Sequence, residues 1–151
     1  MNDSFVAKLI KNRRLELGIS ETHLAEALGI NLSWYSDIES YSDEFFTNIS
    51  LGQAKILCQH LDLQLFDLAE MGFPELPNPN LDAPKIPIHE LFKQKRTELG
   101  LSIEALADMI GFTEETILEI ESREFGIDDA LTIDVVIELI HILGIPANLI
   151  F

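Results

Sequence analysis

Apolar residues recur three and four positions apart along this chain, the period of helices that bury one face. In the first half, Val6, Ile10 and Leu17 fall on one side of a helix that should stop at Gly18, because glycine accepts the left-handed backbone of a helix end. Ser20 is placed to cap a second helix, whose Leu24, Ala25 and Leu28 face inward and which Gly29 ends. A third, short helix begins near Asn31 or Leu32 and carries Tyr35 and Ile38. Residues 41–49 read as a loop. A fourth helix from about Leu51 to Leu61 and a short fifth near Leu65 to Ala69 close the unit. No strand-like alternation occurs, so the expected class is all-α.

The pattern then repeats. With an offset of 82 positions and no gap, Lys11 meets Lys93, Arg14 meets Arg96, Glu16 meets Glu98, and Leu17-Gly18 meets Leu99-Gly100. Further on, Ser20, Leu24, Ala25 and Gly29 meet Ser102, Leu106, Ala107 and Gly111. Ile38-Glu39-Ser40 meets Ile120-Glu121-Ser122, and Leu57 and Leu61 meet Leu139 and Leu143. One register held over that length reads as duplication. In the second half, Thr113 and Thr132 are the expected caps, and Pro146 suits a first helical turn. Residues 73–87 hold five of the six prolines, which favours an extended, semi-stiff linker of up to about 45 Å. The expected domains are therefore 1–72 and 88–151, joined by 73–87.

Residues 21–40 and 103–122 have the spacing of a helix-turn-helix. A small residue, Ala25 or Ala107, sits where two helices cross, and Gly29 or Gly111 makes the turn four residues on. Tyr35 and Ile38, or Ile117 and Ile120, anchor the next helix on the core. The stretches RRLELGISETHLAEALGI and KRTELGLSIEALADMIGF, with the endings HLDLQLFDL and ILGIPANLI, resemble the Cro/C1-type regulators of phage and bacteria. The resemblance covers nearly everything but the linker. It implies two tandem, five-helix, lambda-repressor-like domains whose third helices would enter the DNA major groove. It also implies two structural ion pairs, Arg14 with Glu39 and Arg96 with Glu121.

Charge changes this picture. The chain has 10 basic and 26 acidic residues, a formal net charge of −16, and such a field repels polyanions and favours basic partners. The family's reading positions fall on Asn31, Leu32, Ser33 and Asp37 in the first half, and on Thr113, Glu114, Glu115 and Glu119 in the second. Duplex DNA carries one charge per about 1.7 Å and is held chiefly by Lys and Arg. The family's phosphate-binding glutamine is replaced by Glu21 and Ile103, and the region after the third helix adds Asp43 and Glu44, or Glu124, Asp128 and Asp129. Basic residues lie instead on the first helix, at Lys8, Lys11, Arg13 and Arg14, and on its repeat, at Lys93, Lys95 and Arg96, with Lys55, Lys85 and Arg123 elsewhere. They read either as a solvated face with one structural arginine per copy or as a phosphate-contacting strip. Leu32 and Trp34 are candidate docking residues, since Trp is enriched at interface hot spots; the alternative is that Trp34 folds over Ile38 as core.

Other chemistry has no motif. Cys58 is the single cysteine and reads as a small buried hydrophobe. His23, His60, His89 and His141 stand in no metal-ligand spacing. No phosphate loop or nucleophile elbow occurs, so neither a cofactor nor a small-molecule substrate is implied, and the chain is read as non-enzymatic. The N-terminus is not patterned as a signal peptide and no apolar run reaches membrane-spanning length; a cytoplasmic protein is expected. Two function classes stay open: contact with another, basic protein, and a DNA-binding regulator whose tandem copies act as a built-in pseudo-dimer. The apolar ending Leu149-Ile150-Phe151 should pack on the chain itself, with a dimer seam as the other reading.

Overall fold

A computed structural model describes residues 5–77, 86–122 and 126–151. Lys85, Arg123, Glu124 and most of the proline-rich segment lie outside them. Among the described residues the protein is helical throughout. The first half holds α1 (Phe5–Glu16), α2 (Glu21–Leu28), α3 (Leu32–Ile38), α4 (Ser42–Thr47), α5 (Leu51–Leu61) and α6 (Leu65–Gly72). The second holds α7 (Ile88–Glu98), α8 (Ile103–Ile110), α9 (Glu114–Ile120), α10 (Ile127–Ala130) and α11 (Ile133–Leu143), followed by a 3-10 turn, Ala147–Leu149.

Local chemistry sets these boundaries. The Ser20 hydroxyl accepts the His23 amide, and the Ser102 hydroxyl accepts the Ala105 amide, at 3.1 and 3.0 Å. The third helices start the same way, with Asn31 accepting from Trp34 and Thr113 accepting from Thr116. Each cap satisfies an amide that has no partner inside its helix. Gly29 and Gly111 end α2 and α8 at φ of 68° and 80°, a conformation that strains any residue with a Cβ. Ser50 and Gln53 form a reciprocal capping box on α5.

The structure departs from the sequence reading in four places. The expected loop at 41–49 contains α4, so the described residues of the first half form six helices and not five. Phe45 and Phe46 explain this, because both are buried and hold the segment against the core. Thr132 precedes α11 but makes no capping bond to its backbone; its hydroxyl goes to the Asp134 carboxylate instead. The last helix expected in the second half is only the 3-10 turn, and Pro146 stands just before it. Finally, α6 runs past Ala69 to Gly72, where Phe46 packs directly against the glycine.

Buried apolar residues from both halves form one continuous cluster. α10 packs on α5, and α11 packs on α4 and α5. There the Leu51 amide donates to the Leu131 carbonyl at 2.7 Å. Ser50 and Thr132 pair as an isolated antiparallel bridge, and the Lys55 ammonium meets the Asp128 carboxylate at 2.9 Å. The C-terminal residues stay on the molecule. Ile150 is buried, and Phe151 lines a groove with Cys58, Leu63 and Leu65 of the first half.

Candidate functional site

The site begins with the arginine of α1. Arg14 donates through Nε to Glu39 Oε1 at 2.5 Å and through Nη2 to Oε2 at 2.9 Å, a bidentate pair that is buried. Its Nη1 also donates to the Ile19 carbonyl at 3.0 Å. Tyr35, on α3, donates its hydroxyl to the same Glu39 oxygen at 2.8 Å. The guanidinium therefore ties α1 to the loop before α2 and to the end of α3, and so fixes the angle at which α3 leaves the core. Hydrogen bonding to Glu39 raises the arginine above its ordinary value despite burial. Burial, reinforced by the bond to Glu39, pushes the Tyr35 phenol up.

Arg96 repeats the device in the second half. Its Nε and Nη2 reach the two Glu121 oxygens at 2.6 and 3.0 Å, and its Nη1 reaches the Leu101 carbonyl at 2.9 Å. Ile117 stands where the first half has Tyr35, so this pair lacks the phenol and is less enclosed.

α3 and α9 project from these anchors with Tyr35 and Ile38, or Ile117 and Ile120, buried underneath. The residues that the resemblance assigns to reading positions face outward. Asn31, Leu32, Ser33 and Asp37 are exposed on the first half, and Thr113, Glu114, Glu115 and Glu119 on the second. Asn31 and Thr113 already spend a side-chain oxygen on capping. Leu118, between the α9 carboxylates, is 53% exposed. Leu32 is 48% exposed, whereas Trp34 is half-buried and packs against the core. Of the two candidate docking residues, Leu32 is the more open to solvent.

Two arrangements were not foreseen from the sequence. Glu21, at the start of α2, is drawn into the Arg14 cluster: it lies 3.3 Å from Arg14 Nη2 and accepts the Ser36 hydroxyl at 3.0 Å. The sequence signal was Ser36, one turn from the α3 cap, but nothing local linked it to Glu21. The basic strip on α1 is likewise partly committed. Arg13 donates to the Leu61 carbonyl at 2.9 Å and touches Asp62 and Glu16. The first half therefore has two structural arginines, which corrects the expectation of one per copy. Lys95, at the matching position, pairs with Glu98, while Lys8, Lys11 and Lys93 are exposed.

This is a pair of capped helices locked at a glycine turn, with a buried arginine–glutamate clamp behind the second helix. Residues 92–150 match the helix-turn-helix family model. The matched helix-turn-helix runs from within α7 to the last 3-10 turn; residues 1–91 lie outside the match. No curated protein and no solved structure matches the chain.

Burial pushes the Cys58 thiol up to about 12, which keeps it protonated and unreactive. His23 and His60 meet edge to face, 5.5 Å between ring centres, yet among the described residues no group of three or more His, Cys, Asp or Glu side chains is placed to hold a metal ion. None of the described helices is long and apolar enough to cross a membrane.

Proposed function

We propose that the protein is a non-enzymatic member of the transcription-regulator type that acts by contacting another protein, with α9 as the docking face. The observation that carries this reading is the outward row Glu114, Glu115 and Glu119, with Leu118 among them. A helix that presents three carboxylates to a duplex meets repulsion where a reader needs Lys, Arg, Asn or Gln. Toward a basic surface the same carboxylates attract, and Leu118 supplies apolar contact. The commitment of Glu21 to Arg14 and Ser36 supports the reading from the first half, since that position offers a phosphate no donor. In this proposal the chain is two tandem helix-turn-helix domains, 1–72 and 88–151.

The other reading, a DNA-binding regulator, is favoured by the family match itself and by the exposed Lys8 and Lys11 on α1 together with Asn31 and Ser33 at the start of α3. An NMR titration with an arginine-rich peptide tests the docking face. Shift changes concentrated on 113–119, and lost in Glu114→Gln/Glu115→Gln/Glu119→Gln, are expected. Changes spread evenly over the acidic surface, unaffected by those substitutions, would remove α9 as the docking face.

A further inference from the structure

Ser50 and Thr132, which pair across the two halves, are 82 positions apart, the offset of the sequence repeat itself. The bridge thus joins a residue to its own counterpart. The flanking contacts obey the same exchange. α10 is the counterpart of the end of α4 and α11 of α5, so α10 on α5 and α11 on α4 are one contact seen twice with the halves swapped. Residue i meeting j while j's counterpart meets i's is the mark of a twofold, isologous interface.

We propose that this seam is a pseudo-twofold interface closed within one chain and built to accept only unlike halves. The proposal rests on the repeat read from the sequence, not on the protein-contact reading. Specificity follows from five positions. A Cβ at Gly52 would lie 2.9 Å from the Asp128 carbonyl oxygen and 3.2 Å from its Cβ, so α10 approaches only because that position is glycine. The counterpart of Gly52 is Asp134. Two second halves meeting in this geometry would drive Asp134 into Asp128, with a steric clash and two like charges. Lys55 pairs with Asp128, but the counterpart of Asp128 is Phe46. Two first halves would leave each Lys55 without a carboxylate. Only the unlike pairing has both the open glycine and the ion pair, so divergence after duplication turned a self-complementary face into a selective one.

Hydrogen exchange on the full chain tests this. Leu51 is the first residue of α5, so its amide has no partner inside the helix and its bond to the Leu131 carbonyl reports the seam. That amide should exchange at least about a hundredfold more slowly than in a free peptide. Gly52→Asp should speed it by about tenfold or more while Leu28 and Ile140, deep in either half, keep their protection. Free-peptide exchange at Leu51 in the unaltered chain, or unchanged exchange in Gly52→Asp, would overturn the proposal. If Gly52→Asp unfolds the chain, the ion pair decides. Lys55→Glu should speed Leu51 by about tenfold, and adding Asp128→Lys should return it to within about threefold; no recovery would overturn the selective seam.

Discussion

Arg14 is the side chain on which most of the first half converges. It is 6% exposed and its partner Glu39 is 8% exposed, so neither charge is left to water. Removing one partner of such a pair strands the other, and Arg14→Ala should cost about 3–5 kcal/mol in chemical denaturation. Arg96→Ala should cost less, because its pair is more open and lacks the tyrosine. The alkaline limit of stability is also set by single residues. Tyr35 and Cys58 both hold their protons more tightly folded than unfolded, chiefly through burial. Their contribution is therefore complete below the unfolded values, near 9 for the thiol and 10 for the phenol. It is lost as pH rises above them, because the unfolded chain releases protons that the folded one retains. Denaturation midpoints should fall steadily from pH 9 to 10.5, and Tyr35→Phe/Cys58→Ala should flatten that fall. A double variant as alkali-sensitive as the parent would show that other groups set the limit. The pairing of Arg14 with Glu39 could be expected from the sequence, because family resemblance implied it. The recruitment of Glu21 and Arg13 could not, since their partners at Ser36 and Leu61 lie on other helices.

At the level of elements, the helices whose ends are marked in the chain were legible. Ser20, Gly29, Ser102 and Gly111 act on their own neighbours, and such signals survive without tertiary context. α4 was missed because its reason is distant. Ser42 accepts the Ala7 amide, 35 residues away and buried, and thereby caps the start of α1. Phe45 and Phe46 then seat the helix, with Phe46 edge to face against Phe73 at 5.2 Å. A Cβ on Gly72 would lie 2.5 Å from the Phe46 ring, so Gly72→Ala should destabilise by about 1–3 kcal/mol through overpacking. Asp62 gives the opposite sign. It ends α5 at φ 52°, where glycine is at ease, and Asp62→Gly should raise stability by about 0.5–1 kcal/mol. Thermal melts of the two variants measure both effects. If Gly72→Ala melts with the parent, α4 is held by something other than the Phe46 contact.

For the whole molecule, the excess of 26 acidic over 10 basic residues is the governing quantity. Like charges oppose compaction, and salt relieves them by shortening the screening length from about 30 Å at 0.01 M to about 8 Å at 0.15 M. Melting temperature should rise by roughly 3 °C over that range, the size of about a 1 kcal/mol gain; a fall would mean that attractive surface pairs outweigh the repulsion. Residues matching at an offset of 82 positions made the helices readable, but they gave no hint that Ser50 and Thr132 would meet, because a seam is a relation between surfaces and not a local pattern. Function is the least legible level, since the helix-turn-helix here carries exposed carboxylates at Glu114, Glu115 and Glu119. The most direct measurement is fluorescence anisotropy of a pool of mixed-sequence duplexes titrated with the full chain at about 0.05 M salt, where phosphate-driven binding is strong. The account predicts no rise in anisotropy up to high micromolar protein. Saturable binding that weakens steeply as salt is raised would contradict it.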